Sequence, residues 1–222
     1  MNALEWRVEV GDQATSALYE PAAMPNASAV FVCAHGAGGS MSDRGMLQLA
    51  DQLRTRGFDV VRYNFLYKEK RSSRPDPMPV LKQCVAAVVE RTRQEVAPRR
   101  LVIGGRSMGG RAASMLAAEG FDCDGLLLLA YPLHPAGRPE QLRNAHLPQI
   151  QVPTLCLNGT RDALCRRDLM EAVLARVSPR FEMHWLEAAD HGFHILKSSG
   201  RTDAQVFDEI GVVSQEWLAR LD

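Results

Sequence analysis

The sharpest chemical signal in the chain is Gly105-Arg106-Ser107-Met108-Gly109-Gly110. It follows the apolar run Leu101-Val102-Ile103 and precedes an Ala-rich stretch, about Met108 to Glu119, that reads as a helix. Strand, Gly-x-Ser-x-Gly, helix is the setting in which a serine is held on a strained tight turn as a nucleophile. Glycines two residues to either side let strand and helix approach closely. The bland reading of the same residues is a serine that caps a helix.

A serine hydroxyl needs a base, and the base needs an acid to orient it. The chain has six histidines: His35, His134, His146, His184, His191 and His194. Only the last three lie beyond a segment that can carry the acid. His184 falls in the alternating run Phe181-Glu182-Met183-His184-Trp185-Leu186 and reads as a strand residue. His191 follows that run in a loop, where a base must sit, and is the expected base. His194, placed to begin the next helix, is its rival.

The expected acid is Asp162, reached as Thr154-Leu155-Cys156-Leu157 runs into Asn158-Gly159-Thr160-Arg161-Asp162. Asp168, which also reads as a surface carboxylate at a helix start, and Asp190 are its rivals. An oxyanion needs backbone donors. His35-Gly36-Ala37-Gly38-Gly39, directly after Val30-Phe31-Val32-Cys33-Ala34, supplies one. Ala37 is the first choice there, with Gly36 and Gly38 close behind. Met108, at a helix start, supplies the other donor with help from the helix dipole. His35 reads as a brace for this loop.

The elements that must position these groups are legible as alternating strands and helices. Val30–Ala34, Leu101–Ile103, Leu126–Ala130 and Thr154–Leu157 are continuous apolar runs, as expected for strands buried on both faces of a parallel sheet. Between them, Met46, Leu49 and Leu53 mark a helix stopped by Gly57, and Leu81, Cys84, Val85, Val88 and Val89 mark another. A final apolar stripe runs from Val206 to Leu221, with Thr202 and Gln205 placed for a capping box. A hairpin is expected over residues 5–20. The pattern predicts one α/β domain over residues 1–222: a mainly parallel twisted sheet with helices on both faces. Ligands in such folds bind beyond the carboxyl ends of the strands.

Composition narrows the function classes. The 222 residues are 46% hydrophobic and 23% charged, with 26 Lys plus Arg against 26 Asp plus Glu. A chain without net charge has no field to gather nucleic acid or an anionic membrane. The amino terminus lacks an apolar run of secretory length, and Leu126–Ala130 is far too short to cross a bilayer. Cys33, Cys84, Cys123, Cys156 and Cys165 lack metal-type spacing and read as core residues in a reduced, cytoplasmic protein. Neither metal nor cofactor is expected.

These pieces together resemble the α/β-hydrolase superfamily over essentially the whole chain, and more finely its dienelactone-hydrolase-like group. Gly104-Gly105-Arg106-Ser107-Met108-Gly109-Gly110-Arg111, Tyr131-Pro132-Leu133-His134-Pro135, Arg74-Pro75-Asp76-Pro77 and Gly159-Thr160-Arg161-Asp162 narrow the likeness further. They are most similar to the family of the testis-expressed hydrolase-like protein and the third regulatory subunit of the NSL acetyltransferase complex. The resemblance implies a serine hydrolase fold with no large cap and no metal. It maps nucleophile, acid and base onto Ser107, Asp162 and His191. Relatives that act on dienelactone carry a cysteine nucleophile where this chain has Ser107, so lactone opening is not implied.

The expected chemistry is transfer to water of a small acyl group from an ester or thioester. Nothing indicates an extended peptide subsite or an apolar lid, so peptide and lipid substrates are not favoured. Two connections are expected over the site. Residues 64–79 are too polar and proline-rich for a regular element, and residues 131–148 leave the strand that adjoins the elbow. Candidate substrate contacts are His35, Gly36, Tyr67, Arg71, Arg74 and His134. Lys68, Lys70, Arg71 and Arg74 would favour an anionic acyl group, although such loop charges are usually solvated. His134 also reads as structural or as a pocket wall. Arg106 and Arg111 flank the elbow without an assigned chemical role. A monomer or homodimer with no macromolecular partner is expected. The alternative is an interaction module that keeps the hydrolase fold without turnover.

Overall fold

The computed structural model describes residues 3–24 and 27–221. An antiparallel hairpin comes first, Leu4–Val10 (β1) with Gln13–Glu20 (β2). Its burial alternates, with Trp6, Val8 and Val10 inward beside Thr15, Ala17 and Tyr19, because only one face meets the core. The chain continues through Ala29–Ala34 (β3), Arg44–Arg54 (α1), Phe58–Tyr63 (β4), Leu66–Glu69 (α2) and Met78–Val96 (α3). Then follow Leu101–Arg106 (β5), Met108–Ala118 (α4), Gly125–Leu129 (β6), Thr154–Gly159 (β7), Arg167–Leu174 (α5), Phe181–Leu186 (β8) and Asp203–Leu218 (α6).

The strands form one eight-stranded sheet in the order β1-β2-β4-β3-β5-β6-β7-β8. From β4 to β8 all neighbours run parallel, and β2 joins β4 antiparallel. β3, β4, β6 and β7 are buried at every position, which is why three of them read as unbroken apolar runs. Alternate side chains feed two cores. Val30 and Val32 face α3 and α4 through Val85, Val88 and Ala112. Phe31 and Cys33 face α1 and α6 through Leu49, Leu53, Phe207 and Ile210. The capping box at the start of α6 forms as expected, with Thr202 accepting from the Gln205 amide. No helix among the described residues is long and apolar enough to cross a membrane.

Two expectations need correction. β4 was not anticipated, because Asp59 and Arg62 interrupt its apolar residues. Both charges are buried and satisfied. Asp59 accepts from Tyr19 Oη at 2.8 Å and the Ala22 amide at 2.7 Å, and Arg62 Nε donates to Glu20 Oε2 at 2.8 Å. Residues 64–79 are also less irregular than their polarity suggests. Leu66–Glu69 makes a helical turn with Leu66 and Tyr67 buried, and α3 begins at Met78. Pro79 is tolerated there because the first helical turn has no use for its missing N–H.

The site-bearing end of β5 is set by backbone contact. Gly105 has φ +132°, and a Cβ on it would lie 2.2 Å from the Ala34 carbonyl oxygen of β3. Gly105→Ala should therefore cost about 3 kcal/mol or more, or prevent folding. Gly38→Ala, where a Cβ meets nothing within 4 Å, should stay within about 0.5 kcal/mol. Urea unfolding of the two variants beside wild type checks this, and equal midpoints would refute it.

Candidate active site

Ser107 sits between β5 and α4 with φ +52° and ψ −115°, a conformation a non-glycine residue adopts only at a cost of about 1–3 kcal/mol. The turn is held by the Ser107 amide donating to Leu129 O at 2.8 Å and by the Arg111 amide donating to Ser107 O at 3.0 Å. Strand and helix thus force the hydroxyl out at the carboxyl edge of the sheet.

The other two predicted groups converge there. His191, in the loop after β8, places Nε2 2.9 Å from Ser107 Oγ and Nδ1 2.8 Å from Asp162 Oδ2. A carboxylate can only accept, so Nδ1 carries the proton and Nε2 is free to accept from the serine hydroxyl. Asp162 follows β7, and its side chain has no exposed surface, whereas that of His191 is 29% exposed. The buried carboxylate is further satisfied by the Leu164 amide on Oδ1 at 2.8 Å and by Asn158 Nδ2 on Oδ2 at 3.1 Å. Asn158 also exchanges hydrogen bonds with both backbone groups of Tyr131. The sequence carried no signal for this role beyond an asparagine in an apolar strand.

The rivals are engaged elsewhere. Asp168 is exposed in the first turn of α5 and pairs with Arg166 at 2.5 Å. Asp190 Oδ1 accepts from the Gly192 and His194 amides at 2.7 and 2.9 Å and so shapes the His191 loop. His194 does not open a helix. It pairs with Asp203, at the start of α6, at 2.8 Å. His184 is a β8 residue and pairs with Glu209.

The glycine loop after β3 lies against the serine, since a Cβ on Gly36 would be 3.5 Å from Ser107 Cβ. Ala37 lines, with Gly36, Asp43, Ser107, Leu164 and His191, a cavity of about 400 Å³. Met108 is the first residue of α4, so its amide has no intrahelical acceptor. Ala37 thus borders the cavity into which Ser107 opens, and the Met108 amide directly follows the serine.

The candidate substrate contacts separate into two groups. Gly36 lines the cavity. His35 and Tyr67 lie beneath it, fully buried. His35 donates from Nδ1 to Gly36 O at 2.7 Å and accepts the Phe65 amide at Nε2 at 3.1 Å. Tyr67 Oη donates to Ala37 O at 2.7 Å, and burial pushes its pKa up to about 12, so it stays a neutral donor. Both hold the loop from behind. His134 is likewise buried, bonded to Pro135 O and to the Arg166 amide, and ties two loops together. Arg71 and Arg74 are exposed on the 64–77 segment and do not line the cavity. Arg106 does line it, reaching across to donate from Nη2 to His191 O at 3.2 Å. An arginine beside the elbow is placed to donate hydrogen bonds to a nearby loop, and the loop it reaches is the one that carries His191.

A profile of the alpha/beta hydrolase domain family matches residues 27–219. Among solved structures, the chain is similar to an alpha-beta serine hydrolase homologue from Coxiella burnetii, with a TM-score of 0.75 and 18% identity over 99% of this chain and 97% of that one. A lidless serine hydrolase from Xanthomonas campestris gives 0.74 and 19% over 98% and 95%. A dienelactone hydrolase from Anabaena variabilis gives 0.75 and 19% over 100% and 99%. At these identities the likeness is one of fold.

The His35 arrangement has a pH consequence. Burial lowers its pKa below the ordinary histidine value, and protonation would remove the acceptor that holds Phe65. Below about pH 6.5 the unfolded chain takes up a proton that the folded loop refuses, so stability falls as pH falls from 7 to 5. His35→Gln should be less stable than wild type at pH 7 but decline less between pH 7 and 5. Urea unfolding at both pH values reads this, and equal declines would count against it.

Proposed function

The chain belongs to the alpha/beta hydrolase domain family, and from that premise we propose that it is a carboxylesterase-like serine hydrolase acting on an ester or thioester of a small acyl substrate. The observation that carries the reading is the unbroken relay from Ser107 Oγ through His191 to Asp162, at 2.9 and 2.8 Å, on a strained elbow that opens into a cavity. A serine cap of a helix would need neither partner.

In this reading Ser107 Oγ attacks the carbonyl carbon while His191 Nε2 takes its proton. The Ala37 and Met108 amides hold the oxyanion. Each such donor is typically worth about 100- to 1,000-fold in rate. Collapse of the tetrahedral species expels the alcohol or thiol, which leaves with the proton from His191. Water then attacks the acyl-enzyme, its proton passing through His191 to Ser107, and the carboxylic acid departs. Asp162 keeps Nδ1 protonated and stabilises the imidazolium without accepting the proton. A cavity of about 400 Å³ is at the small end of ligand sites, which favours a short acyl chain over a lipid or a peptide.

A non-catalytic interaction module would be expected to displace one of the three side chains or to close the cavity, so the same geometry weighs against it. The finer likeness to the testis-expressed and NSL-complex subunit family, a monomeric or homodimeric state and a cytoplasmic setting stand as parts of this proposal. Five free, buried thiols support the last.

Incubation with a fluorophosphonate probe, read by intact mass, tests the reading. Wild type should gain one adduct and Ser107→Ala none. Asp162→Asn should lower kcat on a para-nitrophenyl ester by about 10,000-fold, because the imidazole is then held in the wrong tautomer. A folded wild type that takes no label would overturn the proposal.

A further inference from the structure

The glycine loop after β3 contains a tight turn, Gly36–Gly39, closed by the Gly39 amide donating to Gly36 O at 3.0 Å. Its first two carbonyls are bonded from beneath. Gly36 O accepts from His35 Nδ1 at 2.7 Å, and Ala37 O accepts from Tyr67 Oη at 2.7 Å. His35 and Tyr67 are fully buried, whereas Ala37 and Gly38 are exposed and line the cavity with Ser107. In a planar trans peptide the N–H points opposite to the preceding C=O. With Gly36 O and Ala37 O tied to buried groups, the Ala37 and Gly38 amides therefore both face away from the core, on the cavity side. Neither donates to a protein group among the described residues. We infer that Tyr67 is a positioning residue, whose hydroxyl locks the Ala37–Gly38 peptide so that the Gly38 amide joins those of Ala37 and Met108 as a third donor to the oxyanion. The inference rests on the serine-hydrolase reading and identifies what sets its donors.

A lock is needed because such a turn has two states. Rotating the central peptide by half a turn converts the type I form into type II, which requires a positive φ at the third residue. That residue here is Gly38, and glycine takes a positive φ at little cost. In the structure Gly38 does not have one. The inverted form would turn the Gly38 amide away from the cavity and direct Ala37 O towards it. A donor would be lost and a negative dipole gained where negative charge develops.

Among the described residues, only Tyr67 bonds the polar groups of this central peptide. Asp43 secures the far end of the loop, through the Ser40 amide and hydroxyl. Packing does not hold Gly38 either, since a Cβ on it would meet nothing within 4 Å. Tyr67 is itself anchored. Its amide donates to Asp76 Oδ2 at 2.9 Å, and its ring centroid lies 5.9 Å from that of His35, edge-on. The hydroxyl is thus a fixed point, and removing it would free the peptide to invert and bring the stranded Ala37 O to water.

The test is a double-mutant cycle of Tyr67→Phe, which keeps the buried ring, with Gly38→Ala, read as kcat on para-nitrophenyl acetate. Alanine retains the amide but penalises the positive φ of the inverted turn. Tyr67→Phe alone should lower kcat about fivefold, a shift within the reach of one neutral hydrogen bond, with KM within about twofold of wild type. In the Gly38→Ala background the same change should cost less than about twofold. A general loosening of the loop would give equal losses in both backgrounds. Equal losses, or an unchanged kcat in Tyr67→Phe, overturn the inference. A trifluoromethyl ketone supplies a second readout, because its adduct with Ser107 carries the oxyanion. It should inhibit Tyr67→Phe about fivefold more weakly than wild type, and adding Gly38→Ala should restore the inhibition. Unaltered inhibition of Tyr67→Phe also overturns the inference. Fluorophosphonate labelling separates the two readings. An adduct on wild type with equal losses in the cycle removes the Tyr67 lock and leaves the hydrolase, whereas a folded wild type without an adduct removes both.

Discussion

Asp162 is an ionisable side chain with no exposed surface, and much of the site is arranged so that its charge can be tolerated there. A buried carboxylate costs several kcal/mol unless donors surround it. Its donors come from different parts of the chain: the Leu164 amide in the turn after β7, Asn158 Nδ2 within β7 and His191 Nδ1 in the loop after β8. Asn158 is itself held by both backbone groups of Tyr131, just beyond β6. The His191 loop is tied back by the Arg161 amide donating to Ala189 O at 2.9 Å. One buried charge therefore couples the ends of β6, β7 and β8. A slip in their register would leave it without partners.

The nucleophile is held by the opposite device, backbone strain imposed by neighbours rather than charge relieved by them. Ser107 keeps its positive φ because β5 is wedged between β3 and β6 and because Gly105 brings its backbone against Ala34. The strand order matters here. From β3 the chain passes to β4 on one side, then crosses over to β5 on the other. Such a switch point opens a crevice at the carboxyl ends of the two strands. The loop bearing Ala37 leaves β3 on one lip, and the elbow leaves β5 on the other.

The segment after β4 shows how a connection can serve a site without covering it. Its polar and proline-rich composition suggests a loop over the substrate. Instead Phe65, Leu66 and Tyr67 turn inward, the Phe65 and Tyr67 rings meet His35 edge-on, and the Tyr67 hydroxyl donates to Ala37 O. Lys70, Arg71 and Arg74 of the same segment are left in solvent. Polarity averaged along the stretch concealed three buried side chains next to one another, of which Tyr67 bonds the glycine loop directly and Phe65 bonds it through His35.

Much of this was legible along the chain. Continuous apolar runs marked strands covered on both faces, helical spacing marked the covering layers, and Gly-x-Ser-x-Gly between strand and helix marked the elbow. These are local patterns, in which backbone geometry and burial act on residues close in sequence. β4 escaped because its two buried charges are satisfied by groups remote in sequence, Asp59 by the Tyr19 hydroxyl and Arg62 by Glu20. Asn158 escaped for the same reason, and Tyr67, expected as a substrate contact, instead braces the glycine loop: each matters through a partner on another loop. The chain alone thus determined which residue types stand at strand ends in the order serine, acid, histidine. Strand order and register, set by tertiary packing, decided that three side chains far apart in sequence meet within hydrogen-bond distance. Distances across a sheet depend on which strands are neighbours, and no spacing along one strand encodes that.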